Sequence, residues 1–390
     1  MAGERVGAAR WARWEARLHC VLAAVGLAGL LAFGQRSTGS FVRATAAYDG
    51  GADVVEAIVY KFNTWSTIHD FWLSGSRVFS LLLLLASGAG PFVLLAVIGV
   101  CGRSLSAGGL EALGHLSKFQ RAMNTSACLF CVAFDVRIDA AELALRLVAP
   151  LAAGVLISEV CASSTCFLAA LLATAAGKAG DDKARAAAYP NWLRVCVFLN
   201  SLVLLPLALC VPIVRLTGDG LIEPFVDDPN RKLSVVGCAA ALARGSEPVA
   251  SAAAAAWFAF FFVALPIADA LALAAHTTLA RGPSLKMMSA LRAMSSLEVL
   301  LAVAFATSLE LSIITEWVVR RAARQYTHAC DEAVCYRVEA KLLPGTAALA
   351  VTTAAQIAFF LIVRNRLKPC GKRPAADGEA TTYSPLAPGA

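Results

Sequence analysis

Charge is what this chain has least of. Only 16% of its 390 residues are Asp, Glu, Lys or Arg, against about 25% in an ordinary soluble protein. Histidine is scarcer still, with five in the whole chain, too few for a dense cluster of metal ligands. The short signatures of common catalysis are missing: there is no Gly-rich loop followed by Lys-Ser/Thr, no Gly-x-Ser-x-Gly and no His-Glu-x-x-His. The twelve cysteines hold one Cys-x-x-Cys, Cys128 and Cys131, and it falls in an apolar stretch with no second pair beside it. Such cysteines read as small buried hydrophobes. The expectation is therefore a protein that is not an enzyme and has no cofactor and no metal site.

What is abundant is apolar surface: 58% of the residues are hydrophobic and mean hydropathy is +0.67. A membrane-spanning helix needs about 20 mostly apolar residues, and eight stretches qualify. They are 18–34, 78–100, about 123–140, about 155–177, 193–214, about 253–280, 294–319 and about 344–363. Pro91, Pro206 and Pro266 fall inside spans, where neighbouring helices satisfy the carbonyls that proline frees.

Lys and Arg concentrate in cytosolic loops. With the N-terminus inside, the inner segments carry 19 basic and 7 acidic residues and the outer ones 15 of each. Both termini are thus expected in the cytosol, with the chain integral to a plasma or internal membrane. The overall charge of +7 follows from this asymmetry, and nucleic acid is not an expected partner, because basic and aromatic residues never interleave on a soluble stretch. The first span has the basic flank and small-residue end of a signal peptide.

An internal repeat argues for keeping that span. Pro91 and Pro266 are 175 residues apart, Phe119 and Met294 share the offset, and RLHCVLAAVGL aligns with WLRVCVFLNSL. The fold class expected is all-α transmembrane, with eight helices in two parallel four-helix repeats and small extracytoplasmic β-sheets. The division is 1–17 cytosolic tail, 18–177 first module, 178–192 linker, 193–363 second module and 364–390 disordered tail. Sheet-forming runs are expected in GSFVRATAAYDG, EAIVYKFNTW and KLSVVGCAAAL, whose β-branched and aromatic residues favour strands.

Ionisable residues inside spans cost about 2.5–3.5 kcal/mol each on insertion scales, so they are the candidate site. Four stand out: Asp269 and His276 on the sixth span, Glu298 and Glu310 on the seventh. Asp269 and His276 are seven residues apart and share a helix face to within about 20°. Glu298 and Glu310 face about 120° apart, and Glu310 stands at least nine residues from either end of its span. Glu159 and Glu316 read as interfacial. In the last outer loop, Cys330 and Cys335 form a candidate disulfide if that side is oxidising; Cys161 and Cys166 have the same spacing near the outer end of the fourth span.

Four segments together resemble the paraquat-inducible protein A family. They are FNTWSTIHDFWLSGSRVFSLLLLLASGAGPFVLL (62–95), LSKFQRAMNTSACLFCVAF (116–134), ALRAMSSLEVLLAVAFATSLE (290–310) and CYRVEAKLLPG (335–345). Ser117-Lys118-Phe119 stand where the family has Gly-Lys-Trp, and Met123 replaces its Asp. In the second half Met294 stands for the Trp and Glu298 for the Asp. The resemblance implies two four-helix modules with outer sheets and a role in binding or moving lipids. The cytosolic four-Cys zinc ribbons of bacterial members are absent from this sequence. Two functions thus remain open: binding or transporting lipids or helping maintain membrane integrity, with membrane lipids as partners, or serving as an adaptor that binds a protein on its extracytoplasmic side. A channel ranks below both, because no ring of charges is visible.

Overall fold

The computed structural model describes residues 40–48, 53–62, 64–101, 107–133, 136–138, 143–148, 189–220, 230–244, 248–279, 282–323, 334 and 336–367, with isolated positions 21, 24 and 28. The expected span 18–34 apart from those isolated positions, the span 155–177 with Glu159, the N-terminal tail, the C-terminal tail beyond 367, most of the linker, and Cys161, Cys166, Cys330 and Cys335 lie outside the described residues.

Among the described residues, five helical stretches are long and apolar enough to cross a membrane: Arg77–Val97, Asn191–Cys210, Ser251–Thr278, Met287–Arg321 and Pro344–Arg366. They fall on the second, fifth, sixth, seventh and eighth expected spans and make this an integral membrane architecture. In chain order, strands β1 (Ser40–Tyr48) and β2 (Asp53–Phe62) lead into a short helix α1 (Thr64–Ser74). Helix α2 runs through Arg77–Leu83, a π-turn at Leu84–Gly88, and Gly90–Cys101. Next come α3 (Ala107–Ser117), a 3-10 turn at Lys118–Arg121 and α4 (Ala122–Ala133), then β3 (Val136–Ile138) and β4 (Leu143–Val148).

The second half begins with α5, built from Asn191–Leu199, a π-turn at Asn200–Leu204 and Leu205–Cys210. It continues with β5 (Val214–Asp219), β6 (Asn230–Leu233) and α6 (Val235–Ala243). Helix α7 comprises Pro248–Ala259, a π-turn at Phe260–Ala264 and Leu265–Thr278. Helices α8 (Leu285–Met294) and α9 (Leu297–Ala323), strand β7 (Arg337–Leu342) and helix α10 (Pro344–Leu367) complete it.

The π-turns have a local cause. Proline lacks an N–H and its ring presses on the carbonyl four residues back, so the turn before it widens to five-residue bonds. Pro91, Pro206 and Pro266 each follow such a turn within a few residues, and Ala89 N–H bonds the Leu84 carbonyl at 2.7 Å. Between α1 and α2 the chain reverses through Gly75 at φ 95°, a left-handed conformation that glycine adopts without strain. The bonds Ser76 N–H to Phe71 O and Gly75 N–H to Trp72 O complete a Schellman stop.

Both sheets are antiparallel. The first has the order β2-β1-β4-β3, with Ala44 opposite Ala57 and Leu145; the second has the order β6-β5-β7, with Leu216 opposite Arg231 and Ala340. In the second sheet Val214, Leu216, Val338 and Ala340 alternate inward and join the core of the helix bundle. Arg231 of β6 donates to the Val132 carbonyl at the end of α4, the end from which β3 departs. The two sheets therefore share one side of the bundle.

Two expectations are corrected. The third span, read as 123–140, stops as a helix at Ala133, and Val136–Ile138 is already a strand of the first sheet. Asp135, Arg137 and Asp139 are charges an apolar span would not carry. The run KLSVVGCAAAL keeps only Lys232 and Leu233 in a strand; from Val235 it is helix α6. The Ser234 side chain accepts the Gly237 N–H at 2.9 Å, a cap that starts a helix, and the alanine run that follows favours one.

Candidate functional site

Depth in the bundle can be counted from hydrogen bonds. Helix α2 starts at the sheet side, and Ser87, ten residues along, donates to the Gln120 carbonyl at 3.2 Å. At 1.5 Å per residue that is about 15 Å below its start, half of a hydrocarbon core about 30 Å thick. The 3-10 turn Lys118–Arg121 therefore lies near mid-depth. Facing it is the second break of the bundle, Ser295-Ser296 between α8 and α9. Arg121 joins the two: its Nη1 donates to Ser296 Oγ at 3.0 Å and to the Met294 carbonyl at 3.3 Å. A cation there meets the free carbonyls and negative dipole end of α8. The guanidinium also sits 4.2 Å from the Phe261 ring centre, so its flat face is covered as well.

A line of polar side chains extends from this junction. Lys118 Nζ is 3.5 Å from Glu298 Oε1, which also accepts from Arg292 Nη2 at 2.9 Å. Arg292 Nη1 donates to Asp269 Oδ2 at 3.1 Å, and Gln356 Nε2 reaches the same oxygen at 2.7 Å. Lys118, Arg121, Arg292, Asp269 and Gln356 are all buried, whereas the Glu298 side chain is 23% exposed. Five elements, from the 3-10 turn to α10, contribute one residue or more. Each bond here replaces water that hydrocarbon would not supply, so removing one partner strands the other. Glu298 Oε2 and Gln356 Oε1 are buried acceptors with no protein donor.

Of the four expected site residues, Asp269 and Glu298 meet in this line, bridged by Arg292. His276 does not join it, although it shares a helix with Asp269. It is buried against the Tyr189 hydroxyl, 3.3 Å from Nε2, and its Nδ1 lies 2.8 Å from the Pro283 carbonyl. A carbonyl only accepts, so the proton is on Nδ1. His276 thus ties the end of α7 to the chain entering α5 and to its own following loop.

Glu310 is also apart, and its position differs from the expected mid-span one. Its two carboxylate oxygens accept the N–H groups of Val78 at 2.9 Å and Phe79 at 2.7 Å. It caps the first turn of α2 from another helix, where a negative charge meets the positive dipole end. Glu310 is level with the sheet-side end of α2, and the rest of α9 continues beside β7, where Thr315 Oγ1 accepts the Val338 N–H at 2.8 Å. An unbroken apolar run in the sequence hides this, because nothing local marks where α9 leaves the bilayer. Glu316 pairs with Arg320 on the partly exposed surface at 2.8 Å.

Sequence reasoning did not place Lys118, Arg121, Arg292 or Gln356 in the site, although the resemblance matches Lys118 to a family motif. The first three sat in segments counted as inner loops. One signal pointed to them: Lys118 and Arg121 flank Phe119, and Arg292 stands two residues before Met294, the pair that carries the 175-residue offset. Cys128 is buried in the hydrophobic core of the bundle, where the sequence reading placed a small hydrophobe. Near the second sheet an apolar cavity of about 20 Å³ is lined by Leu129, Leu216, Cys238, Thr307 and Leu311 among others. It has room for about one water molecule and none for an acyl chain. Burial pushes the Cys238 thiol up to about 12. Compared with known proteins, the chain matches no family, no curated protein and no solved structure.

Proposed function

We propose that this protein binds or moves membrane lipids, with the mid-depth charged line as its working site. One observation carries the reading. Lys118 and Glu298, the two ionisable positions on which the family resemblance rests, are 180 residues apart in the sequence and 3.5 Å apart in space. Charged groups inside a membrane bundle are expensive and by default mark function. The two-repeat organisation belongs to the same proposal. It is supported by the matching sheet orders β2-β1-β4 and β6-β5-β7, and by Arg121 bonding Ser296, its counterpart at the 175-residue offset. In this reading the termini are cytosolic and the sheets extracytoplasmic.

The test is to purify the protein and measure co-bound lipid by mass spectrometry, and to compare membrane lipid distribution with and without the gene. Retained lipid that changes with Glu298→Gln supports the reading; an empty protein whose deletion leaves lipid distribution unchanged contradicts it.

The adaptor reading keeps one observation of its own: Glu310 is fully occupied as a helix cap. If changes confined to the sheets abolish function while Glu298→Gln does not, the adaptor reading stands.

A further inference from the structure

Helix α1 presents two apolar faces, and only one of them is covered. Thr67, Ile68 and Phe71 are buried in the bundle, and Phe71 stacks edge-on with Phe79 and Phe130. The opposite face carries Trp65 at 46% exposure, His69, Trp72 at 49% and Leu73 at 65%. Positions 65, 69, 72 and 73 follow the i, i+4, i+7, i+8 spacing of one helical stripe. Two half-exposed indoles on an 11-residue helix are a poor surface for water.

We infer that α1 lies in the headgroup layer of the protein's own membrane on the sheet side, with Trp65, Trp72 and Leu73 dipping to the acyl boundary and Arg77 meeting lipid phosphate. Two observations select lipid as the occupant. The exposed stripe is continuous, across the Gly75-Ser76 turn, with exposed Val78, Leu81 and Leu85 of α2, the surface that faces hydrocarbon. Charge complements it as well: Arg77 is exposed at the first turn of α2, with its guanidinium 5.9 Å from the Trp72 ring centre. Indoles belong at this level of a bilayer because the ring is apolar and its N–H is polar. The Schellman turn fixes the angle at which α1 meets the spanning helix, so the helix is held at one depth.

Fluorescence quenching tests the inference on the full-length protein in phosphatidylcholine vesicles. Lipids brominated at carbons 6 and 7 probe shallow depth, those brominated at 11 and 12 probe deep, and iodide present on both sides probes water. Trp72→Phe and Trp65→Phe each isolate one indole by difference from the wild type, with circular dichroism confirming that each variant is folded. The expected result is that each variant loses a component quenched more strongly by the shallow bromolipid than by the deep one, and shielded from iodide. A lost component quenched by iodide and by neither lipid means a face open to water, and one quenched by none of the three means a face covered by protein. Either result overturns the inference. If one variant unfolds, the other decides.

Discussion

Replacing Arg292 with leucine strands two carboxylates at once. Its guanidinium is 3% exposed and lies 3.1 Å from Asp269 and 2.9 Å from Glu298. Removing one member of a buried ion pair costs about 3–5 kcal/mol, because the other charge remains buried. Glu298 is partly exposed and keeps Lys118 at 3.5 Å, so the damage concentrates on Asp269, whose side chain is 3% exposed and which keeps the Gln356 amide. The expected loss is therefore near the lower end, about 3 kcal/mol. A neutral hydrogen bond between membrane helices is worth only about 0.6 kcal/mol, so the magnitude itself separates an ion pair from an ordinary polar contact. Adding Asp269→Asn removes the stranded charge and leaves an amide for Gln356 to bond, so the double variant should recover most of the loss. Reversible unfolding in mixed micelles, followed by circular dichroism as the fraction of denaturing detergent rises, measures both. A single variant within about 1 kcal/mol of wild type, or a double variant less stable than the single, refutes the argument.

Glu310→Gln leaves one acceptor where two backbone N–H groups are bonded, and should cost about 1–3 kcal/mol, the penalty for one unsatisfied buried donor. Glu310→Leu should cost more in the same unfolding assay, and equal losses would argue against the cap. Gly345→Ala should destabilise the entry to α10, since an added Cβ would meet the Pro212 carbonyl carbon at 2.9 Å; a wild-type melting curve would contradict that close approach. Cys238, held protonated up to about 12 and buried, should resist maleimide at neutral pH in the folded protein and react once denaturing detergent has unfolded it. Its raised value also sets a sign: the stability it lends is complete below its ordinary 9.0 and is lost between 9.0 and about 12 as the unfolded chain ionises first. An alkaline limb of unfolding that is identical in Cys238→Ala would show that the thiol does not contribute.

Five of the eight expected spans were legible in the sequence because a run of about 20 apolar residues is what a membrane crossing needs; the third was overread into the charged strand that follows Ala133. Strands β1 and β2 were legible from their β-branched and aromatic runs; β6 was overread, because Ser234 capping a helix outweighs Val235 and Val236. Where the charges sit was hidden. Lys118, Arg121 and Arg292 look like inner-loop cations, and only the meeting of two helix breaks draws them into the bundle. Asp269 and His276 share a face by periodicity, yet different neighbours take each of them, since a face is several residues wide and a partner is one atom. Glu310 stood out in the sequence as an acid far from either end of its span, but its partners are backbone N–H groups 231 and 232 residues away, which no local pattern records.

The most direct measurement of the central claim is mass spectrometry of lipid retained by the purified protein, comparing wild type with Glu298→Gln and Lys118→Met at matched stability. The account predicts lipid bound to wild type and altered, in amount or in headgroup, in both variants. Wild-type protein that carries no lipid, or variants whose lipid is indistinguishable from it, would contradict the claim that the mid-depth charged line is where the protein acts on lipid.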